Sequence, residues 1–177
     1  DMARGLEHAH RRRVAHQDLK PKNINIYGDR VVITDFGPPK VHSEITSDGM
    51  TSVGLVGSLE YASPAQCSAG QVAHRTAVYS LGVILYQMLA AKLPFQGETP
   101  YDLIEGHISG TPTPLSKWRP DIPEPIERIV TTALQKDPAK RYQACREFIA
   151  DIENCIRDQE LIKNIESEQE DIIWMIG

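Results

Sequence analysis

No Gly-x-Gly triplet occurs anywhere in the 177 residues, and there is no Gly-x-x-x-x-Gly-Lys-Ser/Thr run. The chain therefore holds no glycine-rich loop of its own with which to wrap the phosphates of a nucleotide. A long hydrophobic run is missing too. The longest lies within Val78–Leu93 and is interrupted by Ser80, Gly82 and Gln87, which leaves it short of the ~20 apolar residues that span a bilayer. Being apolar nearly all round, it reads as a central buried helix. The Ile172-Ile173-Trp174-Met175-Ile176 stretch is too short to span, so no membrane segment is expected in this chain, and no signal peptide is evident. Cysteine is scarce: Cys67, Cys145 and Cys155 show no C-x-x-C spacing. That excludes a disulfide scaffold or a zinc site and suits thiols of a reducing, cytoplasmic compartment. Excess positive charge is absent as well. A net charge of −5 gives no nucleic-acid signature, and Arg11-Arg12-Arg13 reads as a solvated helix end. His8 and His10, two apart on a helix, point to different faces, which argues against a metal site there.

What the sequence does have is a pair of short motifs. The first is His16-Gln17-Asp18-Leu19-Lys20-Pro21-Lys22-Asn23 and the second is Asp35-Phe36-Gly37. Between them, β-rich Ile24–Tyr27 and Val31–Thr34 flank Gly28-Asp29-Arg30, the pattern of a tight hairpin. A hairpin returns the chain to its starting point, so Asp18, Lys20, Asn23 and Asp35 are expected to converge. Two carboxylates, an amide and an ammonium on one patch suit a metal-bound phosphate. The plainer alternative is a set of ordinary turn residues, since Asp, Asn, Lys and Gly are common in turns.

These motifs resemble the catalytic loop (H-R-D-L-K-P-x-N) and D-F-G of the protein kinases, in particular the eukaryotic-like serine/threonine kinases of bacteria. Further landmarks follow in the same order: Gly57-Ser58-Leu59-Glu60-Tyr61-Ala62-Ser63-Pro64, Val78–Val83, Leu93-Pro94-Phe95 and Lys136-Asp137-Pro138-Ala139-Lys140-Arg141-Tyr142. The resemblance covers residues 1–156 and implies a mainly helical C-terminal lobe with one small β-hairpin. It implies ATP- and Mg²⁺-dependent phosphoryl transfer to Ser or Thr of a protein substrate, chemistry that rests on positioning and charge neutralisation. By the resemblance Asp18 is the catalytic base, Lys20 lies against the transferring phosphate, and Asn23 and Asp35 hold Mg²⁺. Residues 157–177 follow as an acidic helical extension or tail, with a partner-binding helix as the sharper alternative.

The resemblance also exposes departures. The helix expected over Met2–Arg12 corresponds to the one that precedes the catalytic loop, so the β-rich N-lobe, with its glycine-rich loop, strand lysine and helix glutamate, is expected to be missing from these 177 residues. Gln17 stands where most regulated members have Arg, which weakens the case for switching by phosphorylation at Thr46, Ser47, Thr51 or Ser52. Ala65 stands in place of a Glu whose buried partner would be Arg141; removing one half of such a pair typically costs about 3–5 kcal/mol, less if Arg141 finds another acceptor. Ala77 stands in place of an Asp that accepts hydrogen bonds from the catalytic loop. Pro38-Pro39 follow Gly37 where an apolar residue and Ala are usual. The isolated chain is thus expected to be inactive, awaiting an N-lobe or a protein partner. The rivals are a pseudokinase-like binding module using the surface around Tyr101–Ile108, and a truncated or decayed fragment.

Overall fold

The computed structural model describes residues 1–37, 59–68 and 74–159. Pro38-Pro39, the four loop hydroxyl residues and the chain beyond residue 159 lie outside this set. Six helices and one two-stranded antiparallel sheet make up the described part: α1 (Met2–Arg11), β1 (Ile24–Tyr27), β2 (Arg30–Ile33), α2 (Pro64–Cys67), α3 (His74–Ala90), α4 (Pro100–Ile108), α5 (Glu124–Ala133) and α6 (residues 145–159). The expected fold class, mainly helical with a small hairpin, is the one observed.

The hydrophobic centre is α3. Ala77, Val78, Tyr79 and Val83 have no exposure, because a helix apolar on every face has to be surrounded on every face. The stripe Ile129, Val130 and Ala133 of α5 packs against it. Gly82 permits the close approach: a Cβ there would lie 2.7 Å from the Cβ of Ala133. On α6 the apolar residues Phe148, Ile149, Ile152, Cys155 and Ile156 follow helical spacing; Phe148 and Cys155 are buried, whereas Ile156 is half exposed.

Local chemistry sets the element ends. Thr99 caps α4, accepting from the Asp102 N–H while the Asp102 carboxylate accepts from the Thr99 N–H, and Pro100 occupies the first turn. α1 ends with Arg13 in the left-handed region at φ 61. There the Val14 N–H reaches back to the Ala9 carbonyl and the Arg13 N–H to that of His10, the reciprocal bonds that close a helix C-terminus. The hairpin turns at Gly28, φ 57, and pairs Tyr27 with Arg30 and Ile24 with Ile33. Its second strand starts one residue earlier than the β-branched run suggests, because a two-residue turn leaves Arg30 opposite Tyr27.

Arg141 does not stand unpaired for want of the missing glutamate. It is 4 % exposed, and its guanidinium donates to the backbone carbonyls of Gln135 at 2.6 Å, Lys136 at 2.8 Å and Arg75 at 3.4 Å. It also stacks 4.9 Å from the Tyr79 ring. A planar five-donor fork suits this spread of acceptors. Lys136 completes the corner. Its ammonium donates to the Gly106 and His107 carbonyls at the C-terminus of α4, at 2.6 and 2.8 Å, where a cation meets the negative end of the helix dipole. Burial, then the nearby Arg141, pushes its pKa down to about 8.

Candidate active site

Asp18, Lys20 and Asn23 sit on the loop that leads from α1 into β1, and Asp35 on the segment that leaves β2. The Lys20 ammonium donates to Asp18 Oδ2 at 2.7 Å, with both side chains less than one-fifth exposed. Asn23 is 6 % exposed and closes the loop on itself: its Nδ2 donates to the Asp18 carbonyl at 2.9 Å. That bond commits one amide hydrogen of Asn23 to the loop. The hairpin ladder continues one step past Ile33, with the Thr34 N–H donating to the Asn23 carbonyl at 2.9 Å. Asp35, next along, is exposed and adopts φ 58, and its Oδ2 accepts from the Thr34 hydroxyl at 3.4 Å. Direct side-chain pairing thus joins Asp18 to Lys20, a side-chain-to-backbone bond joins Asn23 to Asp18, and Asp35 enters through the hairpin register. A non-glycine residue held at positive φ is uncommon and marks a backbone shaped for its place.

His16 is the residue that motif reading leaves without a role. It is 1 % exposed, its Nε2 donates to the Thr34 carbonyl at 2.9 Å, and its Nδ1 accepts the Asp18 N–H at 3.2 Å. The two bonds fix one neutral tautomer. Burial lowers its pKa, outweighing the Thr34 bond and the Asp18 and Asp35 carboxylates that act to raise it, so the ring is neutral at pH 7. One imidazole therefore ties the catalytic loop to the end of the hairpin. The Phe36 ring packs on it with centroids 4.8 Å apart, and His16 bridges to Gly37 in parallel fashion. A histidine at the head of the motif was the available signal, since polar groups that become buried are usually hydrogen-bonded.

The amide oxygen of Asn23 and the carboxylate of Asp35 are hard donors of the kind Mg²⁺ prefers, and Mg²⁺ typically takes only one or two carboxylates and completes its shell with water and substrate phosphate. Among the described residues, no three His, Cys, Asp or Glu side chains gather into a cation cage. By donor chemistry alone, Asn23 and Asp35 are the types of ligand that suit an ion shared with phosphate.

The sequence matches the protein kinase domain family over residues 1–151. It is 36% identical over 172 residues to a probable serine/threonine-protein kinase of Clostridium perfringens, with 96% of this chain and 25% of the relative aligned. It is 32% identical over 167 residues to the serine/threonine-protein kinase PrkC of Bacillus subtilis, covering 94% of this chain and 26% of that one. Against the serine/threonine-protein kinase pkn3 of Myxococcus xanthus it is 37% identical over 158 residues, covering 84% and 29%. The chain spans about a quarter of the length of these relatives.

Proposed function

Since the chain belongs to the protein kinase domain family, we propose that it is the C-terminal lobe, residues 1–156, of a serine/threonine kinase, followed by an acidic extension over 157–177. The reaction is transfer of the γ-phosphoryl group of ATP to a Ser or Thr hydroxyl of a protein. Asp18 orients the incoming hydroxyl and takes its proton; with Oδ2 engaged by Lys20, Oδ1 is the oxygen assigned to that contact. Lys20 holds the Asp18 carboxylate in place and sets a positive charge beside the transferring phosphate. Asn23 Oδ1 and the Asp35 carboxylate would hold Mg²⁺, which would supply neutralisation of phosphate charge. His16 orients the loop from beneath and takes no part in proton transfer. The observation that carries the reading is the loop geometry itself: the 2.7 Å Asp18–Lys20 pair set one bond away from the Asn23 amide.

The glycine-rich loop and strand lysine that complete the nucleotide site have no counterpart in residues 1–177, so the chain by itself should transfer no phosphate and bind ATP weakly. The test is phosphate transfer from ATP to a serine/threonine substrate with the chain joined to an N-lobe of one of its relatives, beside an Asp18→Asn control. Transfer that vanishes with the control supports the reading, and none in the joined protein overturns it. Among the described residues no helix is long and apolar enough to cross a membrane.

A second reading has one observation in its favour. Tyr101, on the first turn of α4, is 71 % exposed and Ile108, at its end, 38 %, an apolar edge that suits a protein-binding module. Capture of a protein partner that is lost with Tyr101→Ala, and that needs no nucleotide, would favour it.

A further inference from the structure

We propose that Gln66 is a positioning residue that clamps the peptide bond in front of Asp18. Its importance for catalysis rests on the phosphotransfer reading above; the clamp does not. The side-chain amide of Gln66 is spent at both ends. Its Oε1 accepts the Ser63 N–H at 3.0 Å, the return half of the capping box that starts α2. Its Nε2 donates at 2.6 Å to the carbonyl of Gln17, 49 residues earlier in the chain. The same peptide unit is held from its other side, because the Asp18 N–H donates to His16 Nδ1 at 3.2 Å. A peptide group is a rigid plane. With its C=O taken by Gln66 and its N–H by His16, the plane cannot swing about its flanking single bonds without breaking two hydrogen bonds. Asp18 hangs directly from that plane, so its carboxylate is aimed from a fixed base.

The anchor is itself firm. Ser63 is fully buried and its hydroxyl lies 3.4 Å from that of Thr76 on α3. One turn along, the Ser80 hydroxyl donates to the Tyr61 carbonyl at 2.8 Å. The loop is therefore suspended from the central helix through the start of α2. This supplies a brace in a chain whose α3 carries the buried Ala77, a side chain with no acceptor, where the resemblance sets an Asp. It also means that displacement of the segment entering α2 is felt at Asp18.

Gln66→Glu separates the two jobs of the side chain. A glutamate keeps an oxygen for the Ser63 N–H, since Glu is a favoured capping-box residue, but it has no proton to give the Gln17 carbonyl. Gln66→Ala removes both. Amide hydrogen exchange on the chain should show the Asp18 and Leu19 amides exchanging about tenfold faster in both variants, the loss of one well-made hydrogen bond. The Cys67 and Ser68 amides of α2 should speed up only in the alanine variant. Wild-type exchange at Asp18 and Leu19 in Gln66→Glu would overturn the clamp and leave Gln66 a cap alone. In the protein joined to an N-lobe, Gln66→Glu should lower kcat about tenfold with KM for ATP unchanged, the mark of misplaced chemistry and not of lost binding. Absence of transfer in the wild-type joined protein would count against the phosphotransfer reading, with the exchange rates still deciding the clamp.

Discussion

Lowering the pH places a growing load on His107. This residue, near the end of α4, is 1 % exposed and sits in an aromatic corner, its ring 5.0 Å from that of Phe95 and 5.7 Å from that of Tyr79. Its Nδ1 pairs with the Tyr79 hydroxyl at 2.9 Å, while its buried Nε2 makes no well-formed hydrogen bond and faces the Glu60 and Leu59 backbone. Burial first, and then the Lys136 ammonium, push its pKa from 6.5 down to about 4, outweighing that backbone, which acts to raise it. In the unfolded chain the imidazole recovers its ordinary value. Below pH 6.5 the unfolded state therefore takes up a proton that the folded state refuses, so stability falls as pH falls and levels off only beneath the folded pKa. The loss is the difference of RT ln(1 + 10^(pKa − pH)) between the two states, on the order of 1 kcal/mol at pH 5.5 and about 2–3 kcal/mol at pH 4.5. Those are large fractions of the ~5–15 kcal/mol that holds a domain together. Urea melts of wild type and His107→Gln at about pH 7.5, 5.5 and 4.5 isolate the effect. His10 and His16, whose pKa values burial also lowers, are common to both proteins and cancel in the difference. The variant should start less stable and lose about 2–3 kcal/mol less on acidification. Parallel pH curves for the two proteins would mean that His107 titrates normally and that its burial is relieved before the fold gives way.

Arg141→Ala should cost about 3–5 kcal/mol in denaturant melts, because three buried carbonyls lose their donor at once; Arg141→Lys should recover little, as an ammonium donates from a single point. Gly82→Ala forces a Cβ to within 2.7 Å of the Ala133 Cβ and should lower stability by about 1–3 kcal/mol, read as a drop in Tm. Asn23→Asp removes the donor to the Asp18 carbonyl and should cost about 1–3 kcal/mol, yet it adds an anionic oxygen to the proposed Mg²⁺ site. Mn²⁺ with nucleotide should then restore part of the loss by mass action in the protein joined to an N-lobe; a Tm indifferent to the ion in both wild type and variant would remove Asn23 from the metal site.

The elements that periodicity and capping chemistry specify were readable in the sequence. Val78–Leu93 announces a central helix because no face of it is polar, Thr99-Pro100 announces the start of α4, and Gly28 announces the hairpin turn through its freedom at positive φ. The order of motifs announced the family. What stayed hidden was every contact made by a side chain to a distant backbone. Nothing local in Gln66 points to Gln17, and nothing in Arg141 points to the carbonyls of Gln135 and Arg75, because backbone acceptors leave no residue-type signature. Counting side-chain partners alone therefore made Arg141 an orphan once residue 65 was alanine. Ile156 shows the opposite error: its spacing continues the buried stripe of α6, but the helix by then has outrun the core that would cover it.

These backbone contacts bear on whether the altered braces mean decay. A chain drifting without selection loses side chains at random, and the partners left behind in a dry interior would each forfeit about 1–3 kcal/mol. The pattern around the loop is different. With Ala65 in place of a carboxylate, the Arg141 guanidinium is spent on three carbonyls and an aromatic face. With Ala77 where the resemblance sets an acceptor for the loop, the peptide before Asp18 is held on both edges by Gln66 and His16. Asn23 spends one amide hydrogen on the loop carbonyl. The Arg141 guanidinium stays buried and burial lowers its pKa, so the three carbonyls and the Tyr79 face supply the compensation that a carboxylate would otherwise give. Such a lobe should be stable without being pH-sensitive at those braces, and its acid sensitivity should concentrate instead at buried imidazoles such as His107. That gives the His107→Gln experiment a second use: a residual acid loss in the variant no larger than His10 and His16 can supply would place the replaced braces outside the titrating set, as compensation requires.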